Sequence, residues 1–254
     1  MINNDLFSVV TVSYNSAKTI TKTIKSILNQ SIKNFEYIII DGKSTDNTVG
    51  IIKSFEDEFR QKGIKYTWVS EHDSGIYNAF NKGIKISSGN WISFLGSDDY
   101  YFDNALELYG KQIQNLNTHI DLIYSNVNVA NRKIIKAQWS WKVFRKKMNI
   151  AHVGAFHNKG YFKKYGLYNE TYKIAGDYEL LLRAKQNLKT HWFNSETAFM
   201  SDDGISNNQI IKVYRETSKA KIETKSQSNL KTKLDYYTWV IKYRIKTLLD
   251  AFTR

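Results

Sequence analysis

Two hydrophobic periods take turns along the first 125 or so residues, and this alternation constrains the fold more than any other feature of the chain. "FSVVTVSYN" (7–15) is a short β-branched apolar run that ends in polar residues, the pattern of a buried parallel strand. "FEYIIID" (35–41), "IKYTWVSE" (64–71), "WISFLG" (91–96) and "DLIYSNV" (121–127) repeat it. Between these runs the apolar residues fall at helical spacing instead. Ala17, Ile20, Ile24, Ile27 and Leu28 predict an amphipathic helix, as do residues 49–59, then Ile76, Phe80 and Ile84, then Leu106, Tyr109, Ile113 and Leu116. Strand alternating with helix predicts an α/β fold: a doubly wound, mostly parallel sheet with helices on both faces. In such a sheet the carboxyl ends of the strands form the ligand crevice.

The polar clusters of the sequence fall at those ends: "SYN", "DGKSTD", "SEHDSG" and "GSDD". The last contains Asp98 and Asp99, adjacent carboxylates at the end of a buried strand. They read either as an Asp-rich turn capping the next helix or as a site for a hard divalent cation, Mn²⁺ or Mg²⁺. Such an ion takes oxygen ligands, often one or two carboxylates plus the phosphates of a substrate. Asp41 reads as a turn residue beside Gly42 or as an acceptor for a base N–H or a ribose hydroxyl, and Asp46 as a helix N-cap. The chain has no cysteine, which excludes disulfides and thiolate metal sites, and no His spacing suggests zinc. Neither glycine-rich phosphate loop, GxGxxG or GxxxxGK[ST], is present, so phosphate charge must be met by side chains and metal.

Beyond residue 130 the pattern is less regular, with basic and aromatic residues mixed up to about Gly166. "GDYELLLRAKQNL" then predicts a helix beginning near Asp177. The final segment, "LDYYTWVIKYRIKTLLDAF", sets Leu234, Tyr237, Ile241, Ile245, Leu248 and Phe252 on one helical side. The formal charge of +13 is uneven: residues 205–254 hold eleven Lys or Arg against four Asp or Glu. This basic tail, with Trp239 and its tyrosines, suits an anionic membrane surface. It also suits a helix that covers the domain or packs on a second subunit. No nucleic-acid-binding motif is recognisable, and acidic residues gather at the crevice, so nucleic acid is not the expected partner. With no signal peptide and no apolar run of about 20 residues, the expected location is cytoplasmic, peripheral on the inner membrane.

Five ordered stretches carry a resemblance. "SVVTVSYNSAKTITKTIKSILNQS", "EYIIIDGKSTDNT", "SEHDSGIYNAFNKGIKISSGN" with "WISFLGSDD", and "AGDYELLLRA" are similar to the successive motifs of family 2 glycosyltransferases, most of all the bacterial branch that builds O-antigen and capsule repeat units. The resemblance implies a GT-A fold over residues 1–205, with 1–128 as the nucleotide-binding half and 129–205 as the acceptor-binding half. Residues 206–254 would form a basic, amphipathic helical extension. It implies an inverting, metal-dependent hexosyl- or N-acetylhexosaminyltransferase that takes a UDP-sugar donor to a lipid-linked, undecaprenyl-diphosphate saccharide. Thr11, Ser13, Tyr14, Asp41, Glu71, Asp73, Gly75, Ser97 and Asp98 would line the nucleotide-sugar pocket. Asp98 and Asp99 would be the D-x-D metal motif, with Asp99 the direct ligand.

Asp177 would be the general base, and its other reading is the N-cap of its helix. His152 would touch the acceptor, the diphosphate or the metal, or is simply a packed residue. The chain departs from the common family form at Val12 and His72, where prolines are usual, and at Asn78, where "IYDA" becomes "IYNA". The alternative functions are a non-catalytic nucleotide-sugar-binding subunit and a basic nucleic-acid-binding module.

Overall fold

The computed structural model describes residues 7–202, 204 and 209–252. Its strands are β1 (Phe7–Ser13), β2 (Phe35–Asp41), β3 (Lys65–Ser70), β4 (Trp91–Gly96), β5 (Tyr100–Tyr101), β6 (Leu122–Val129), β7 (Lys133–Ile135), β8 (Ala155–Asn158) and β9 (Thr190–Met200). Its α-helices are α1 (Ile20–Leu28), α2 (Thr48–Ser54), α3 (Glu56–Gln61), α4 (Ile76–Ile86), α5 (Ala105–Gln114), α6 (Trp141–Phe144), α7 (Lys159–Tyr165), α8 (Gly176–Leu182), α9 (Ile210–Glu223) and α10 (Asn229–Phe252). One mixed sheet runs β3-β2-β1-β4-β8-β6-β9-β5, with β7 paired to β6. β3, β2, β1 and β4 are mutually parallel, and β9 lies parallel to β6. The short strands β5, β7 and β8 pair antiparallel.

Period-two alternation along each strand divides the core in two. On one face Phe7, Val9, Tyr37, Ile39 and Leu95 pack with α1, α2, α3 and α5. On the other face Val10, Val12, Ile38, Ile40, Ile92 and Phe94 pack with α4, α7 and α8, and Ala220 of α9 joins them. The helical spacing read in 17–30 does its work in this first layer. Ile20, Ile24 and Ile27 are all fully buried, each contributing ~1.5–3 kcal/mol relative to an exposed side chain.

The predicted helix at 49–59 is two helices that meet at Phe55, which is the C-cap of α2 and the N-cap of α3. β5, β7, β8 and β9 had no counterpart in the sequence reading. Three of them are only two to four residues long, and β9 is paired through its backbone with partners distant in sequence. The expected boundary at 205/206 lies outside the described residues. α9 is part of the packed body: Glu216, Thr217, Ala220 and Lys221 are buried on it. α10 instead exposes Leu230, Leu234, Tyr237, Ile241, Ile245, Leu248 and Leu249, all more than half exposed. Trp239 meets α9, with its ring 5.2 Å from that of Tyr214 and under Lys221 Nζ. The side chain of Phe252 lies outside the described residues.

Candidate active site

Register alone brings three polar residues together at the carboxyl ends of the strands. Ser13 on β1 pairs with Asp41 on β2, and Asp41 pairs with Ser70 on β3. Asp41 is fully buried, and its carboxylate accepts from Ser13 Oγ (3.0 Å), Ser44 N (2.9 Å), Ser44 Oγ (2.5 Å) and Ser70 Oγ (2.7 Å). Asp41 thus ties three strand ends and the 42–45 loop together at the carboxyl ends of the strands, where a base N–H would join the serine donors at its carboxylate. Thr11 stands apart from the other expected pocket residues. It is wholly buried, and its hydroxyl accepts from Tyr37 Oη (3.0 Å) within the core.

Other predicted residues do face the crevice. Tyr14 is 64% exposed, and its ring and the Asp73 carboxylate both border Gly42. Asp73 Oδ1 accepts from Gly75 N (2.9 Å), which holds the loop leading into α4. Glu71 is exposed and paired with Lys82 (2.8 Å), so the charge it would bring to the pocket edge is already partnered. Asp46 accepts from Ala17 N (3.1 Å) and Thr48 N (3.0 Å), joining the β1–α1 loop to the start of α2; the N-cap position expected at Asp46 falls one residue later, at Asn47.

The end of β4 carries the two adjacent acids. A Cβ added at Gly96 would lie 2.8 Å from Asp99 Oδ2 and 2.9 Å from Asp98 Oδ1. Both oxygens thus converge on one point that only glycine leaves open. Asp99 is anchored through its other oxygen, which accepts from Ser201 N (2.9 Å), and Thr23 Oγ1 donates to its backbone carbonyl (2.7 Å). Burial, then the neighbouring Asp98 charge, pushes Asp99 up to about 7, against the Ser201 and Gly96 amides. Two hard, convergent oxygens that repel each other match what Mn²⁺ or Mg²⁺ requires, and such an ion between them would cancel that repulsion. No third His, Asp or Glu completes a cluster among the described residues, which leaves the remaining positions to water and phosphate. Ser97 Oγ meets Ser16 Oγ at 2.7 Å and so links the ends of β4 and β1.

Asp177 lies in the first turn of α8, which has no side-chain cap of its own. Asp177 Oδ1 accepts from Tyr178 N (2.8 Å) and lies 3.5 Å from Tyr77 Oη on α4, which also donates to Ile174 O (2.6 Å). Burial, then the Asp177 charge, holds Tyr77 well above the usual phenol range, so it stays a donor. α8 can come this close because residue 176 is glycine: a Cβ there would lie 2.7 Å from the Tyr77 ring. Glu179, the other acid of that turn, is committed to Arg183 (2.9 and 2.6 Å). His152 stacks on Phe94 (centroids 5.2 Å, 8°), and its Nε2 meets Tyr168 Oη (2.8 Å). Burial lowers its pKa, and nearby Asp177 opposes that. The packed reading accounts for these contacts.

The structure thus gathers Ser13, Tyr14, Asp73, Gly75, Ser97, Asp98 and Asp99 around the strand ends, with Asp177 reaching α4 through Tyr77. Sequence reasoning missed Ser16, Ser44, Ser70 and Tyr77. The three serines stand in or beside the polar clusters at the strand ends, a signal that was available. Asn78 also gains an explanation: its Nδ2 donates to Glu170 Oε2 (2.9 Å), beside Asn81, which donates to Oε1 (2.8 Å). An amide here meets a carboxylate that an Asp would repel.

Comparison with known proteins gives the chain's family and fold. Over 214 residues the chain is 27% identical to a PGL/p-HBAD biosynthesis glycosyltransferase of Mycobacterium tuberculosis, covering 81% of this chain and 80% of that one. It is 34% identical over 130 residues to the Escherichia coli UDP-Glc:alpha-D-GlcNAc-diphosphoundecaprenol beta-1,3-glucosyltransferase WfgD, covering 51% of this chain and 49% of WfgD. Among solved structures it superposes on Pyrobaculum calidifontis mannosyltransferase PcManGT in complex with GDP-Man and Mn²⁺, with TM-score 0.69, 13% identity, and 97% and 75% coverage. It also superposes on S. aureus TarS 1-349 in complex with UDP-GlcNAc, with TM-score 0.66, 18% identity, and 92% and 71% coverage. The chain spans 42% of the longer TarS chain. These likenesses give the GT-A fold. The model of glycosyl transferase family 2 matches residues 8–172, well over half the chain, and with the paired acids at the end of β4 it establishes that this chain belongs to that family.

Proposed function

We propose that this glycosyltransferase moves a hexose or N-acetylhexosamine from a UDP-sugar to a hydroxyl of an undecaprenyl-diphosphate-linked saccharide, in one inverting displacement. The observation that carries the reading is the convergence of Asp98 and Asp99 over Gly96 in the strand-end crevice. WfgD, by its name, uses UDP-Glc and a diphosphoundecaprenol acceptor, and TarS is seen with UDP-GlcNAc; both support the donor class. Asp98 and Asp99 would hold a divalent cation, which when bound offsets the charge that builds on the departing diphosphate. Tyr14 and Asp73 would border the nucleoside, with Asp41 fixing the loop beneath it. Asp177 would take the proton of the attacking hydroxyl, acting across the sugar from the leaving group. The Tyr178 amide holds its Oδ1, with the Tyr77 hydroxyl nearby but donating to Ile174 O, which leaves Oδ2 for that proton.

The test is UDP release from a panel of UDP-sugars with Mn²⁺, with and without a synthetic GlcNAc-diphosphate-lipid. Asp99→Ala and Asp177→Asn should each lower turnover by ~10²-fold or more with melting temperature preserved. Wild-type rates in both variants would refute the proposal. UDP binding without turnover on any acceptor would instead indicate a non-catalytic subunit.

No helix among the described residues is long and apolar enough to cross a membrane. The exposed apolar stripe of α10 is flanked by Lys231, Lys233, Lys242, Arg244 and Lys246, which suits the headgroup region of an anionic leaflet, at ~1 kcal/mol per basic residue. The proposed location is therefore the cytoplasmic face of the membrane, where a lipid-linked acceptor is presented. Salt-sensitive sedimentation with phosphatidylglycerol vesicles, lost in Ile241→Glu/Ile245→Glu, would support this. Loss of dimers instead, with no vesicle binding, would assign the stripe to a second copy.

A further inference from the structure

Part of the support of α8 comes from α9, outside the segment that the family model matches. We propose that Glu216, on α9, is a positioning residue for the general base Asp177. Glu216 is 8% exposed, and its carboxylate receives three consecutive backbone amides just ahead of α8. Lys173 N lies 3.1 Å from both oxygens, and Ile174 N and Ala175 N lie 2.8 and 2.9 Å from Oε2. Ala175, at the cap position of α8, has no side chain able to cap the helix; a carboxylate some forty residues away in sequence instead takes the Ala175 amide and the two before it, fixing the backbone that enters α8.

The same helix grips the preceding residues. Tyr172 Oη donates to Glu223 Oε2 (2.6 Å), and Lys219 Nζ donates to Thr171 Oγ1 (2.9 Å) while lying over the Tyr172 ring. On the opposite side, Tyr77 Oη holds Ile174 O, and the Lys173 side chain reaches Ser74 O in the donor-side loop. Segment 171–177 is therefore a joint between the donor-side loop and the base, clamped on one side by α4 and its loop and on the other by α9. The contact between Gly176 and Tyr77 fixes the α4 side of this segment by packing and leaves the α9 side to the hydrogen bonds of Glu216. With Glu216 truncated, three amides lose their acceptor, the segment loses its outer clamp, and the Asp177 carboxylate is free to drift from the acceptor hydroxyl.

This inference rests on Asp177 being the base, and a double-mutant cycle separates the two ideas. UDP release with Mn²⁺ and the synthetic GlcNAc-diphosphate-lipid is measured for Glu216→Ala, Glu216→Gln, Asp177→Asn and Glu216→Ala/Asp177→Asn, with UDP affinity by calorimetry and melting temperature alongside. Glu216→Ala should lower kcat about tenfold or more while UDP affinity stays within about twofold, the mark of a misplaced group and not of a lost pocket. Glu216→Gln, which keeps an oxygen facing Ile174 and Ala175, should recover much of the rate. The double variant should be no slower than Asp177→Asn alone.

A lower melting temperature with unchanged kcat in Glu216→Ala would overturn the proposal, as would multiplicative losses in the double variant. If Glu216→Ala does not fold, Glu216→Gln decides: full loss of rate in that variant would overturn the positioning role. Wild-type turnover in Asp177→Asn would refute the base assignment itself, and the clamp proposal with it. Wild-type turnover in Glu216→Ala with Asp177→Asn inactive would refute the clamp alone.

Discussion

Gly176→Ala tests how closely Asp177, the proposed base, is seated. The added methyl would lie 2.7 Å from Tyr77 Cε2 and Cζ and 2.9 Å from Cδ2, so about 0.7 Å must be found to restore ordinary van der Waals contact. The ring is badly placed to give way. It is 4% exposed, stacked on Tyr168 with centroids 5.4 Å apart, and its hydroxyl is tied to Ile174 O at 2.6 Å. The start of α8 must therefore move instead. Overpacking of this kind costs ~1–3 kcal/mol. Because a misplacement of ~1 Å at a reacting group costs ~10²-fold in rate, a shift of this size should lower turnover about tenfold or more. Urea unfolding measures the first effect, and UDP release with Mn²⁺ at saturating donor measures the second. UDP affinity should hold, since Tyr14 and Asp73, proposed to border the nucleoside, are untouched. A variant with wild-type stability and wild-type turnover would show that Tyr77 yields freely, and the tight seating of Asp177 would be wrong.

Two further outcomes are expected. Glu36 is buried at the opposite end of the sheet: desolvation alone would raise its pKa, but hydrogen bonds from Lys65, Ser8 and Ser88 outweigh it and bring it down to about 2. A folded pKa below the unfolded value of 4.5 means that this stabilisation is fully present above about pH 4.5 and is lost as pH falls toward 2. Wild type should lose up to ~3 kcal/mol more than Glu36→Gln across that window in urea titrations, less whatever the exposed Lys65 partner loses to screening; parallel losses would refute the assignment. Asn78→Asp would remove a donor to Glu170 and set two carboxylates together, at a cost of ~1–2 kcal/mol at neutral pH that shrinks in acid. A pH-independent effect in thermal melts would rule out that charge clash.

The sequence by itself determined the α/β layering, because strand and helix periods are local: one buried face repeats every two residues, the other about every 3.6. It therefore placed β1 to β4, β6 and the helices between them, and with them the strand ends where Asp98, Asp99, Ser97 and Tyr14 stand. Tertiary structure alone decided three things. It drew β5, β7 and β8 out of segments too short to show a period, with β9 beside them, because their backbone partners lie far away in sequence. It gave the Thr11 hydroxyl to Tyr37 and the Asp41 carboxylate to three serines, since alternation says which face a residue takes but not which neighbours will claim its hydrogen bonds. And it brought the Glu216 carboxylate onto the amides of residues 173–175. No local pattern marks that contact: a backbone N–H is the same at every non-proline residue, and only folding decides which acceptor reaches it.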